Sequence, residues 1–504
     1  MIAGQVGNKF IRASLVEHLE KCLNKTLGEL DVAKEFNCVV GMRKKTGIAG
    51  DVIEYSVLGL PKKWEGRTKQ EPDIEVDGVR FEVKTTGLRR SKQNADSFEA
   101  KEPVSITAVS PQTIAGEEYH SSLFWHKVAH LLFLYYVYDS RTVVPPSGYA
   151  RFPLVSYQFH DYRDFSIEEQ KTIENDWRIV RDFIAHLQRC YSDYESQYPR
   201  ISYELRPKLM LLDTAPKWPH NPRFRFKKSF VTTIYLRHAA SQEQKEVLTR
   251  RHGGYESIQD IVDECSDIVN QYKGKTVEWL CHHFGIVPTK ELKSIAEPII
   301  VKMFRGTRKK MNDVDLFSKV GIVGKSIVFT EDNGRTEDAK FFTIDFGEIM
   351  DDTLSFENSQ FYEYFSTHKI LFAIFEEPNK KASLLENRFR GFSLITLNED
   401  FIQMNVRPVW EKVRHLVLSK ELVDVPICYT KGPNKGEQIV NKNGVFRSAP
   451  NFPKAADGDV FVRGTGNDSS DKREVVNGIR MYYQQVWIRG EYLSRLVAQS
   501  PQIT

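Results

Sequence analysis

The chain lacks any apolar run long enough to cross a bilayer, which takes roughly 20 residues, and its start does not read as a secretory leader. It is poor in cysteine: six in 504 residues (Cys22, Cys38, Cys190, Cys265, Cys281, Cys428), without the spacing of a disulfide framework. Reduced thiols and a cytoplasmic setting are the expectation. It also lacks a strong charge of either sign. With a net charge of +4, any surface for an anionic partner must be local. Two tempting motifs are incomplete. Gly324-Lys325-Ser326 ends like a phosphate loop, but Lys319 stands where that loop needs its first glycine. Cys281-His282-His283 has no second ligand pair at zinc-finger spacing. What remains is ordinary globular composition, 41% hydrophobic and 27% charged, in a chain long enough for two or three domains.

One short stretch carries chemistry. In Pro72-Asp73-Ile74-Glu75-Val76-Asp77-Gly78-Val79-Arg80-Phe81-Glu82-Val83-Lys84, Asp77-Gly78 predicts a type I′ hairpin turn. A two-residue loop pairs Val76 with Val79 and Ile74 with Phe81, and sets Asp73 opposite Glu82. Ile74, Val76, Val79, Phe81 and Val83 then share one face; Asp73, Glu82 and Lys84 share the other. Adjacent carboxylates repel unless a cation lies between them, and oxygen donors suit a hard divalent ion such as Mg2+. A lysine beside such an ion can hold or deprotonate an attacking water. Alone, the same hairpin reads equally as a surface salt-bridge ladder.

Along the chain, Ile11 to Leu19 reads as an amphipathic helix, and segments beginning at Leu27 and Gly47 as further helices. His126 through Tyr136 reads as a buried strand. A Ser166-x-x-Glu169 capping box opens a long helix with Ile173, Trp177, Val180, Ile184 and Leu187 at core spacing. A segment from Arg200 to Arg237 holds nine lysines and arginines against two acids, Glu204 and Asp213, with Phe224, Phe226 and Phe230 interleaved. A basic strand with a buried apolar face accounts for the phenylalanines; the excess charge asks for an anionic partner, and DNA fits. The second half echoes the first in order. Ala296–Gly306 echoes the helix with Glu54, Asp315 to Lys325 echoes Asp73 to Lys84, Thr367-His368-Lys369 echoes Trp125-His126-Lys127, and Trp410 echoes Trp177. Val301 and Val323 replace the acids, so a duplicated domain with an inactive, binding second copy is expected. Lys309 belongs to a basic run with Lys302, Arg305, Arg308 and Lys310, read as a phosphate stripe in a nucleic-acid binder.

Together these residues resemble the family of the MutH mismatch-repair nickase and the GATC-cutting restriction endonucleases of the Sau type. The carriers, in order, are Thr26-Leu27-Gly28-Glu29-Leu30, Glu54, Asp73 with Glu82-x-Lys84, His126-Lys127, Glu169 through Trp177, Arg206-Pro207-Lys208 and Phe224-Arg225-Phe226-Lys227-Lys228-Ser229-Phe230. The resemblance implies that Glu54, Asp73 and Glu82 bind magnesium, that Lys84 positions the water, and that Arg206-Pro207-Lys208 enters the major groove. Arg225 stands where the nickase has a tyrosine linked to sensing adenine methylation. The implied fold is α/β, two tandem restriction-endonuclease-like domains, each a mixed sheet flanked by helices. Residues 1–250 would form the catalytic domain, 251–274 a linker and 275–504 a degenerate DNA-binding or effector domain. The expected DNA contacts are Lys127, Arg206, Pro207, Lys208, Arg225, Lys227, Lys228 and Lys309. The expected activity is Mg2+-dependent double-strand cleavage of duplex DNA at GATC leaving 5′-phosphates, by a monomer able to dimerise on DNA. A repair nickase and a non-catalytic DNA-binding regulator are the alternatives.

Overall fold

The computed structural model describes residues 2–42, 45, 47–62, 71–90, 97–140, 144–215, 222–239, 246–248, 254–288, 292–330, 337–379, 381–429, 432–440, 444–466 and 471–504. It divides into two compact units. Unit 1 comprises Met1–Ser140, Val144–Ile268 and Glu297–Val323; unit 2 comprises Val269–Ala296 and Gly324–Thr504. Among the described residues no helix is long and apolar enough to cross a membrane.

In unit 1, β1 (Lys9–Phe10) leads into α1 (Arg12–Cys22), α2 (Leu27–Leu30) and α3 (Ile48–Val52). The α2 start is a reciprocal Thr26–Glu29 capping box, which satisfies two orphan amides with neighbouring side chains. The hairpin β2 (Ile74–Val76) and β3 (Val79–Arg90) follows, then β4 (Phe98–Ala100), β5 (Val104–Ala108), α4 (Leu123–Val128), β6 (His130–Val137) and β7 (Leu154–Asp161). The expected strand from His126 thus begins at His130, with His126 and Lys127 in the last turn of α4. Next come α5 (Ile167–Cys190), α6 (Arg200–Glu204), β8 (Leu212–Ala215), β9 (Arg223–Phe226) and α7 (Lys228–Ala239). The main sheet runs β1-β2-β3-β6-β7 with β4 beside β3. It is mixed: β3 pairs parallel with β6, and β6 antiparallel with β7. Because β6 is central and covered on both faces, Leu131 through Tyr136 are all buried, a continuous apolar run and not an alternation. A second sheet, β5-β9-β8, packs Phe224 and Phe226 inward. The predicted α5 core stripe, Ile173 to Leu187, is wholly buried.

The stretch read as a linker, 251–274, starts at Arg251-His252-Gly253, outside the described residues, and continues into the helix Ile258–Tyr272. One segment departs from the sequence reading. Glu297–Val323, grouped in the sequence with the carboxy-terminal copy, lies in unit 1. Asp315, read as the echo of strand residue Asp73, instead opens the helix Asp315–Val320. The helical turn sets Asp315 and Lys319 on one side, where both join a buried ion-pair cluster with Arg237 and Glu169.

Unit 2 holds a three-stranded sheet of Ile322–Phe329, from Gly324 onward, Lys369–Glu376 and Arg388–Ile395, and another of Ala339–Thr343, Gln484–Ile488 and Val460–Gly464. Local bonds of unit 1 recur in it. Thr26 and Thr276 each cap a helix, whose first amide bonds a carbonyl before or at the start of a strand: Leu27 to Phe152 and Val277 to Asn387, both at 2.9 Å. Buried Ser122 and Ser359 each donate to the carbonyl three residues back at 2.6 Å and accept the amide three residues on.

Candidate active site and nucleic-acid surface

The hairpin fixes the acid pair. Asp77 (φ 48°) and Gly78 (φ 83°) both take positive φ, as a type I′ turn requires. The register is Val76 with Val79, Glu75 with Arg80 and Ile74 with Phe81, so one step further brings Asp73 beside Glu82. Ile74, Val76, Phe81 and Val83 are buried, whereas Val79, next to the turn, is 39% exposed. Asp73 and Glu82 are themselves buried, at 6% and 5% exposure. Asp73 Oδ2 accepts from the Val83 amide at 2.8 Å. Glu82 Oε1 accepts from Lys84 Nζ at 2.8 Å, and Oε2 from Lys127 Nζ at 2.6 Å. Lys127 also donates to the Glu71 carbonyl at 3.1 Å.

A buried carboxylate is costly unless it is paired. Here two acids are balanced by two ammonium groups, one on β3 and one at the end of α4. Lys127 was expected on DNA; it is buried, and its charge is committed to Glu82, so it belongs to the acid cluster. The all-oxygen donor pair Asp73–Glu82 fits a hard divalent cation. Glu54 sits in the π-helical turn Ile53–Val57 that continues α3, half-buried. Among the described residues no group of three or more acidic, histidine or cysteine side chains is assembled for a metal.

The expected recognition residues lie on the turn after α6: Arg206 half-buried, Pro207 and Lys208 exposed. The sequence reading missed what holds this turn. Asp176, wholly buried on α5, accepts from the amides of Met210 at 2.9 Å, Leu211 at 2.7 Å and Leu212 at 2.8 Å. Burial pushes its carboxyl up, against the opposing pull of Lys227 and those amides. The available signal was an acid within the apolar stripe, between Ile173 and Trp177. Lys227, expected on DNA, is buried with Nζ on the Leu209 carbonyl at 2.8 Å, a position from which it braces the same loop. Arg225 makes a two-pronged pair with Asp213 across β8 and β9, at 2.7 and 3.0 Å, which commits much of its fork to protein. Lys228 opens α7 half-buried, and Lys309 is exposed.

A second buried cluster ties the late segment to unit 1. Glu169, wholly buried at the start of α5, takes both prongs of Arg237 at 2.8 and 2.9 Å and lies 3.5 Å from Lys319. Asp315 pairs with Arg237 at 3.2 Å and Lys319 at 3.0 Å, and Ser229 donates to the Lys319 carbonyl at 2.8 Å. Burial alone would raise the Glu169 carboxyl, but Arg237 and Lys319 hold it below the usual range. Burial likewise opposes the Lys319 charge, and Asp315 and Glu169 outweigh it.

Two similarities to known proteins bear on this geometry. Residues 63–176 match the family model described as DNA mismatch repair enzyme MutH, a span that contains Asp73, Glu82, Lys84 and Lys127. The curated type II restriction enzyme Sau3AI of Staphylococcus aureus is 22% identical over 497 residues, covering 92% of this chain and 94% of that protein.

Proposed function

This chain is a relative of MutH and of the Sau3AI restriction enzyme, and on that premise we propose that it is a type II restriction endonuclease making Mg2+-dependent double-strand cuts in duplex DNA at GATC, leaving 5′-phosphates. The observation that carries the reading is the buried Asp73–Glu82 pair with Lys84 on Glu82, inside the MutH-matched span. Binding alone gives no reason to bury two like charges side by side. Asp73 and Glu82 would hold the cation, and Glu54 is the proposed third carboxylate. A bound divalent ion supplies charge neutralisation at the phosphate under attack. Lys84, tethered to Glu82, orients the attacking water and takes up or shares its proton. Arg206 and Lys208 read guanine edges in the major groove, Pro207 shaping their turn. Lys228 and Lys309 contact phosphates; Arg225 contributes once Asp213 releases it.

The similarity along nearly the whole chain favours the restriction enzyme over a single-domain repair nickase. Unit 2 is proposed to bind a second DNA site, and the protein to act as a monomer that can pair on DNA. The test is to incubate the protein with plasmid and magnesium and to sequence the ends. Ends mapping to GATC with 5′-phosphates are expected. Nicks in one strand only would return the nickase reading, and uncut plasmid that is nonetheless bound would return the non-catalytic one.

A further inference from the structure

Unit 2 carries a projection with no core of its own. After the helix Arg407–Leu418, with its buried Trp410, strand Asp424–Pro426 pairs antiparallel with Ser448–Pro450. The chain between them continues the ladder: the Ile427 amide bonds the Arg447 carbonyl at 2.9 Å, Ile439 bonds Ile427 at 2.8 Å, and Arg447 bonds Ile439 at 2.8 Å. Bridges join Cys428 to Gln438 and Val440 to Phe446. Between 424 and 449 no described residue is buried. A small meander without a packed face has little to stabilise it in water. It nonetheless presents Phe446, 63% exposed, and Tyr429, 39% exposed.

The charge is lopsided. The arm sequence has Lys431, Lys435, Lys442 and Arg447 against Asp424 and Glu437. Lys431 and Lys442 lie outside the described residues; Lys435 and Arg447 are exposed, and neither is ion-paired among the described residues. Its place in the chain adds a second argument. In unit 1, the segment after the long helix with buried Trp177 carries Arg206-Pro207-Lys208. In unit 2, the segment after the helix with buried Trp410 is this arm.

We infer that the β-arm 427–447 is the duplex-DNA contact of unit 2, with Lys435 and Arg447 on phosphates and Phe446 against the groove. The inference deepens the proposal that unit 2 binds a second site, and rests on it. Two-stranded and three-stranded ribbons fit a DNA groove, cationic side chains release its counterions, and an apolar tip can wedge against base steps. Because Lys435, Phe446 and Arg447 are all exposed, their substitution leaves the fold alone.

The experiment titrates the full-length protein with a labelled GATC duplex in the absence of divalent cation, so its outcome does not depend on cleavage. The wild-type chain is expected to take up two duplexes, and the Lys435→Ala/Arg447→Ala variant one at full affinity and the second about tenfold more weakly. The salt slope of the second event should fall by about two, one for each phosphate that no longer meets a cation. Phe446→Ala should weaken the second event without changing that slope. Thermal melting of both variants should match the wild type. An unchanged affinity and salt slope for the second duplex in the double variant would overturn the inference. So would a wild-type dimer, seen by sedimentation without DNA, that the Phe446→Ala change dissolves; the arm would then be a contact between copies.

Discussion

Lys127 shows at the residue scale what the acid pair demands. Its ammonium lies 2.6 Å from Glu82, buried, where a cation would otherwise be needed. Removing one partner of a buried pair leaves an uncompensated charge, typically about 3–5 kcal/mol. Lys127→Met is therefore predicted to lower stability by about 3 kcal/mol without divalent ions, and added magnesium should recover more stability in the variant than in the wild type. Urea unfolding with and without magnesium measures both. His160 supplies a pH prediction. It is buried against Phe165 and accepts from Gln158 at 3.0 Å, and burial brings its pKa from 6.5 down to about 4. The unfolded chain then binds a proton that the folded chain refuses. Stability should fall as pH drops from about 6.5 towards about 4, by about 3 kcal/mol from this residue. His160→Gln should flatten that slope in urea titrations across the window; an identical slope would remove the assignment.

At the scale of elements, the local pieces were readable and the long-range ones were not. The hairpin register followed from Asp77-Gly78, and the α5 cap and stripe from Ser166, Glu169 and the apolar spacing, because each rests on neighbours within a few residues. Lys127 and Lys227 read as surface cations because lysine usually is one. Their partners, Glu82 and the Leu209 carbonyl, are set by tertiary packing, which spacing does not reveal. Asp176 was missed because an acid in an apolar stripe looks like noise until four backbone hydrogen bonds converge on it. The element it holds, the turn with Arg206-Pro207-Lys208, gives a paired prediction. Lys208→Ala should erase about 1–3 kcal/mol of discrimination between GATC and single-base variants. Lys309→Ala should weaken all sequences alike and lower the salt slope by about one. Binding isotherms on cognate and altered duplexes at several salt concentrations separate the two.

For the whole molecule, the sequence repeat pointed to a cut between halves, but the structure returns Glu297–Val323 to unit 1. The echo of Asp73 by Asp315 concealed a helix whose acid and lysine complete the Glu169–Arg237 cluster. A chain ended near residue 260 loses that helix and is predicted to be less stable than the whole chain by about 3 kcal/mol or more. Lys319→Ala in the full chain should reproduce much of this loss in a urea melt. The proposed duplication rests on small recurrences, such as Ser122 and Ser359, and on an arm that follows the Trp410 helix as the Arg206-Pro207-Lys208 turn follows the Trp177 helix. The central claim, that the Asp73–Glu82 pair is the seat of phosphodiester hydrolysis, is tested most directly by Glu82→Ala in a single-turnover assay on a GATC duplex, with binding measured on the same sample. Losing metal assistance should cost about 3–4 kcal/mol, or roughly 10²- to 10³-fold in rate, while binding stays equal or tightens as negative charge near phosphate is removed. Cleavage by Glu82→Ala at the wild-type rate would contradict the account.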